Sequence, residues 1–89
     1  MIGTCRLRFL DDDCKLERMA VDAASRGIGI GARMIEVAEA EGRRRGSGRL
    51  VLHAQVVSRA FYERAGLRAV SEEVFLEEGI EHVRMEKGL

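Results

Sequence analysis

The chain has 89 residues, 15 Lys+Arg against 15 Asp+Glu for a formal net charge of zero, 46% hydrophobic residues and 34% charged ones. Such a composition fits one folded domain with a modest core, residues 1–89 together, and excludes a disordered chain or a bulk field drawing it to nucleic acid or membrane. No apolar run is long enough to span a bilayer and no signal peptide is visible, so a cytoplasmic setting is expected, with no membrane and no nucleic-acid partner.

Ile2 to Phe9 alternates as a strand, with Cys5, Leu7 and Phe9 on one face and Thr4, Arg6 and Arg8 on the other. Asp11-Asp12-Asp13 is a turn signal, and a cation site is the less favoured alternative because no glycine-bearing calcium loop follows. Cys5 and Cys14 are too few for a disulfide framework and fall out of register on a hairpin turning near Asp12. They lack metal spacing with His53 or His82, so reduced thiols are expected.

Lys15 to Val21 reads as the returning strand, with Leu16, Arg18 and Ala20 on one face and Glu17, Met19 and Val21 on the other. A half-buried Glu17 beside Met and Val is a candidate general base; an edge glutamate in solvent is the alternative. A helix is expected from about Gly29 to Arg45, with an apolar stripe of Ile30, Met34, Val37 and Ala38 widened by Ile35. Arg33, Glu36, Glu39, Arg43 and Arg44 fall outside that stripe. Arg43-Arg44-Arg45 suits the negative helix end, with Gly46 as the cap, better than a nucleic-acid patch.

Leu50-Val51-Leu52 reads as a strand buried on both faces, parallel to Lys15–Val21 through the helical crossover. Ser58 to Ala65 reads as a two-turn helix, with Ser58 as N-cap, Phe61 as core anchor and Gly66 as the stop. Leu67–Phe75 and Ile80–Glu86 read as strands joined by a hairpin at Glu77-Glu78-Gly79. His53 and His82 read as strand histidines with satisfied partners rather than as catalysts.

The chemistry concentrates in Arg26-Gly27-Ile28-Gly29-Ile30-Gly31. Glycines let a ligand approach the backbone, and the helix start behind them presents unpaired N–H groups and the positive dipole end. That combination suits phosphate or pyrophosphate, and it lies at the carboxyl end of a parallel strand. A plain turn with glycines kept for packing is the alternative. No Walker loop is present. Gly27, Gly29 and Ala32 satisfy G-x-G-x-x-A, but five residues separate them from the strand. The next strand ends His53-Ala54-Gln55, without the acid that would hold a ribose.

Arg26 to Gly31 also reads as Arg-x-x-Gly-x-Gly, and with its flanking strand and helix it resembles the acetyl-CoA motif of the GCN5-related N-acetyltransferases. Phe61-Tyr62-Glu63-Arg64-Ala65-Gly66-Leu67 is similar to that superfamily's Phe-Tyr-Glu-x-x-Gly-Phe segment, and Gln55 stands seven residues before Tyr62 where many members have Asn. Leu52 to Gln55 and Phe75 to Met85 are similar to a bacterial subgroup of uncharacterised members. The resemblance implies an α/β (α+β) acyl-CoA N-acyltransferase-like fold, a mixed, mostly antiparallel sheet with helices packed on it, in the order β-β-α-β-α-β-β. It further implies acetyl transfer from acetyl-CoA, as cosubstrate, to a primary amine on a small molecule or peptide by direct attack in a ternary complex.

By the same resemblance, residues 27 to 31, led in by Arg26, hold the CoA pyrophosphate, and the pantetheine arm lies along main chain at Met19, Ala20 and Val21. Gln55 and Tyr62 complete the cofactor site. Tyr62 protonates the leaving thiolate, and Glu17 is a candidate base by strand position. Relative to the superfamily the chain lacks the usual N-terminal strand and helices, which leaves Ile2–Phe9 as an expected open edge that a homodimer would cover. A non-catalytic acyl-CoA-binding or dimerisation module without an acceptor site is the competing reading.

Overall fold

A computed structural model describes residues 3–21 and 29–89, with side chains at 6–17 and from 31 onward. Two strands lead, β1 (Gly3–Leu10) and β2 (Asp13–Val21), followed by helix α1 (Ile30–Arg44) and strand β3 (Arg49–Gln55). A 3-10 turn at Val56–Ser58 enters α2 (Arg59–Arg64), and β4 (Arg68–Ala69), β5 (Phe75–Glu77) and β6 (Ile80–Gly88) close the chain. The strands form one mixed sheet in the order β1-β2-β3-β6-β4, with β5 paired to β6 beside β4. Among the described strands only β2 and β3 run parallel. That is the parallel pair expected from a strand–helix–strand crossover.

Alternation along the strands sorts the two faces. Cys14, Leu16, Leu50, Leu52, Ala54, Val83 and Met85 point to one face and are buried against Ile35 and Ala38 of α1 and Leu67. Leu7, Phe9, Phe61, Tyr62 and Ala65 pack onto this core, so both helices lie on the same face. Cys14 is a free thiol, and burial pushes its pKa up. The opposite face carries no helix among the described residues. It presents Arg6, Arg8, Lys15, Glu17, Arg49, His53 and Arg84 around a buried Val51.

The helical stripe differs from the one expected. Ile35, Ala38, Glu39 and Gly42 are buried, whereas Val37 is 59% exposed. Gly42 is selected by closeness, because a Cβ there would come within 2.7 Å of Leu89 and 3.4 Å of Cys14. Glu39 tolerates burial because Lys87 Nζ bonds its Oε1 at 2.9 Å and also donates to the Ala65 carbonyl at 3.1 Å. One lysine on β6 thereby ties α1 to the end of α2.

α1 ends in a Schellman motif. Gly46 takes φ +80°, its N–H bonds the Arg43 carbonyl at 3.1 Å, and the Ser47 N–H bonds the Gly42 carbonyl at 2.8 Å. The basic run before it is engaged within the fold. Arg44 and Arg45 both bond Glu41, and the Arg45 guanidinium lies 4.4 Å over the Phe9 ring.

Those two arginines hold the Glu41 carboxyl down at about 2, from 4.5. Its folded value is depressed, so its contribution to stability is present above the unfolded value near 4.5 and is lost as pH falls toward 2. Glu41→Gln is therefore expected to melt slightly lower than the parent protein at pH 7, where the contribution is present, and to converge with it as pH falls toward 2, which flattens the fall in melting temperature across that window. Melts of both proteins at half-unit pH steps check this, and identical slopes would refute it.

Two further expectations need correction. Leu67–Phe75 is not one strand: Arg68 and Ala69 pair with Glu86 and Met85, Phe75 begins a separate strand, and 70–74 lies between them. Ser71-Glu72-Glu73 has no apolar alternation, and Ser71 Oγ takes the Glu73 N–H at 3.2 Å, which satisfies that donor away from the ladder. Ser58 occupies the N-cap position of α2 without making a side-chain cap. The hairpin at Glu78-Gly79 forms as expected, with φ +53° and +76° at its two turn residues.

Candidate active site

The parallel pairing that creates the site also ends at it. β2 and β3 pair from Asp13↔Arg49 to Leu16↔Leu52 and no further. Beyond that point β3 continues against β6 alone, through His53↔Arg84, Ala54↔Val83 and Gln55↔His82. β2 continues against β1 alone, through Arg6↔Glu17, Thr4↔Ala20 and Gly3↔Val21. From Glu17 onward the inner edge of β2 thus has no ladder partner among the described residues. Arg18 and Met19 together oppose the single Cys5, a β-bulge that locally re-aims the strand.

The helix start lies at the same end of the sheet, because α1 follows the carboxyl end of β2 and returns to β3. Gly29 is its N-cap, at φ +82° and ψ 10°, with no side-chain cap and no acidic residue in the first turn. The first intrahelical bond described runs from the Arg33 N–H to the Gly29 carbonyl, at 2.9 Å. Among the described residues, the N–H groups ahead of Arg33, including that of Gly31, have no helical acceptor. Arg26, Gly27 and Ile28 lie outside the described residues, and only the backbone is described at Met19, Ala20, Val21 and Ile30.

Glu17 is half-buried, on the helix-free face, and Arg8 Nη1 donates to its Oε1 at 3.2 Å with Lys15 Nζ 3.9 Å away. Tyr62 sits on the opposite, helix-bearing face, part-buried against the core, with its ring edge-on to Phe61 at 5.1 Å and 76°. Burial raises the pKa of its hydroxyl, so it is a protonated donor at neutral pH. Gln55 is exposed at the end of β3, where the chain turns into the 3-10 segment. Glu17 and Tyr62 therefore lie on opposite faces of the sheet.

One grouping carries no signature of its own in the sequence. Glu77, which reads there as a hairpin residue, lies 3.3 Å from His53 and 3.5 Å from His82. The available signal was the two-residue turn at Glu78-Gly79, which fixes the register Phe75↔His82 and so brings this end of β5 to the histidines.

Known proteins share this fold. The family model described as acetyltransferase (GNAT) domain matches residues 1–89. The uncharacterised N-acetyltransferase YjcF of Bacillus subtilis (strain 168) is 35% identical over 86 residues, which is 97% of this chain and 61% of that protein. A crystallised candidate N-acetyltransferase of Lactobacillus plantarum superposes with a TM-score of 0.92 at 30% identity, covering 99% of this chain and 60% of the other. A Bacillus subtilis acetyltransferase solved in complex with CoA shares the fold at a TM-score of 0.81 and 17% identity, over 100% of this chain and 70% of that one. The chain spans 57% to 61% of the length of the curated relatives it matches. With an acyl-CoA N-acyltransferase fold and a family match along its whole length, this chain belongs to the GNAT acetyltransferase domain family.

Proposed function

We propose that the chain is the acetyl-CoA-binding part of an N-acetyltransferase that transfers an acetyl group to a primary amine. The observation that carries this reading is the end of β2–β3 pairing at Leu16↔Leu52. An extended pantetheine arm carries amide groups, and the unladdered edge of β2 from Glu17 to Val21 offers them main-chain partners, as an added strand would. The uncapped start of α1 at Gly29 lies at the same end, suited to pyrophosphate. The relatives' names and the CoA complex of the structural neighbour support the same ligand.

In this reading the thioester lies in the gap. The amine nitrogen bonds to the carbonyl carbon, the carbon–sulfur bond breaks, and the sulfur takes a proton from the Tyr62 hydroxyl on the helix face. The amine must lose a proton, toward the opposite face, where Glu17 is the candidate base. Titration of acetyl-CoA by calorimetry should give micromolar affinity, and a folded chain with no heat of binding would overturn the proposal. Tyr62→Phe should keep that affinity and lose about 10–100-fold in turnover. An acyl-CoA-binding module without an acceptor site would bind and show no turnover to lose.

A further inference from the structure

Strand register gathers two imidazoles and one carboxylate on the helix-free face, just past the point where β2 and β3 part. His53 is the first residue of that face beyond the last paired position, and Glu17 holds the equivalent place on β2. Glu77 Oε1 lies 3.3 Å from His53 Nδ1, and Glu77 Oε2 lies 3.5 Å from His82 Nε2. His82 is 8% exposed and is fixed from behind, its Nδ1 donating to the Ile80 carbonyl at 2.7 Å. The Phe75 ring stands edge-on to His53 at 4.9 Å and stacks on His82 at 6.0 Å.

Chemistry assigns the proton. A carboxylate only accepts, so neutral His53 carries its hydrogen on Nδ1 and keeps a lone pair on Nε2. A carboxylate that orients an imidazole in this way is the arrangement by which a histidine serves as general base. Glu17 is placed less well for that step, because its Oε1 already accepts from Arg8.

We propose, resting on the acetyl-transfer reading above, that His53 Nε2 takes the proton from the attacking nucleophile. Glu77 is the positioning residue that sets its tautomer. The nucleophile approaches from the helix-free face and bonds to the acetyl carbon. Its proton passes to His53 Nε2, the carbon–sulfur bond breaks, and Tyr62 protonates the sulfur. Solvent then takes the proton from His53 and returns one to Tyr62. The charged groups facing His53 are Glu77 on β5, Arg84 on β6, and Lys15 and Glu17 on β2, and the His82 imidazole of β6 faces it as well.

Two measurements test this on the full chain. Imidazole nitrogen NMR should place the neutral His53 proton on Nδ1, and Glu77→Gln should erase that bias. Glu77 is about half exposed, so this variant keeps the fold. An Nε2–H tautomer, or a bias indifferent to Glu77→Gln, overturns the proposal. The second measurement follows CoA thiol release from acetyl-CoA with water as the acceptor. The wild-type rate should rise with pH through the range where an imidazole loses its proton. His53→Gln should lower it about 10–100-fold and flatten the profile. Wild-type binding without enzyme-dependent release, or a His53→Gln variant with the wild-type profile, overturns it too. Calorimetry separates the two readings: His53→Gln should bind acetyl-CoA within about twofold of wild type, and a wild-type chain that does not bind sinks the coenzyme reading itself.

Discussion

Replacing Leu50 with alanine is expected to remove about 2–5 kcal/mol of stability. A chain of this length has about 4–13 kcal/mol in total, so a large part of the folded population is at stake. Leu50 is fully buried on β3, the strand between β2 and β6, where it faces the core shared with α1. Truncation leaves a cavity whose walls are strands fixed by two ladders, and such walls collapse poorly. The comparison is Leu76→Ala on β5, where the side chain is 72% exposed and the expected change is within about 0.5 kcal/mol. Urea unfolding with a shared slope reads both. Equal midpoints for the two variants would mean that β3 is not the centre of the core.

The same residue shows how far the sequence reaches. Leu50-Val51-Leu52 reads as a strand buried on both faces, and it is: Leu50 and Leu52 meet the helices while Val51, 1% exposed, faces the other way. Hairpin ends were legible because turn chemistry is local; Glu78-Gly79 adopts the two positive φ values its residues permit. The helix terminus at Gly46 was legible for the same reason. The buried side of α1 was less so. Periodicity places Val37 in the apolar stripe and Glu39 outside it, yet Glu39 is buried because Lys87, 48 residues away, supplies its partner. Hydrophobicity alone carries no trace of that long-range pairing.

The site divides along the same line. Motif and resemblance supply the glycine run and Tyr62 as candidates, and of these the structure describes Gly29, Gly31 and Tyr62. The end of β2–β3 pairing was not legible, because it depends on register across the sheet, and neither was the bulge at Arg18–Met19, which breaks the alternation read along Lys15–Val21. Glu77 escaped for a related reason. A glutamate beside a tight turn is an ordinary surface residue until the turn fixes the register that brings it to His53 and His82.

Gly29→Val is expected to lower acetyl-CoA affinity about 100-fold, or about 2.7 kcal/mol, while the protein stays folded. Among the described residues a Cβ at Gly29 would meet nothing within 4 Å, so against them the free protein bears only the strain of a β-branched residue at φ +82°. Any larger effect on binding arises from what the side chain keeps away from the backbone, which in the proposed function is the pyrophosphate. The other end of α1 provides the matched control. Gly46 has φ +80°, and a Cβ there also meets nothing within 4 Å. Gly46→Val should therefore show a similar loss of thermal stability with acetyl-CoA affinity intact. Loss of binding in both variants would trace the effect to destabilisation of α1, and retention in both would move the pyrophosphate site away from the helix start. Loss at Gly29 alone separates the two ends by their function, because strain and free space are the same at both.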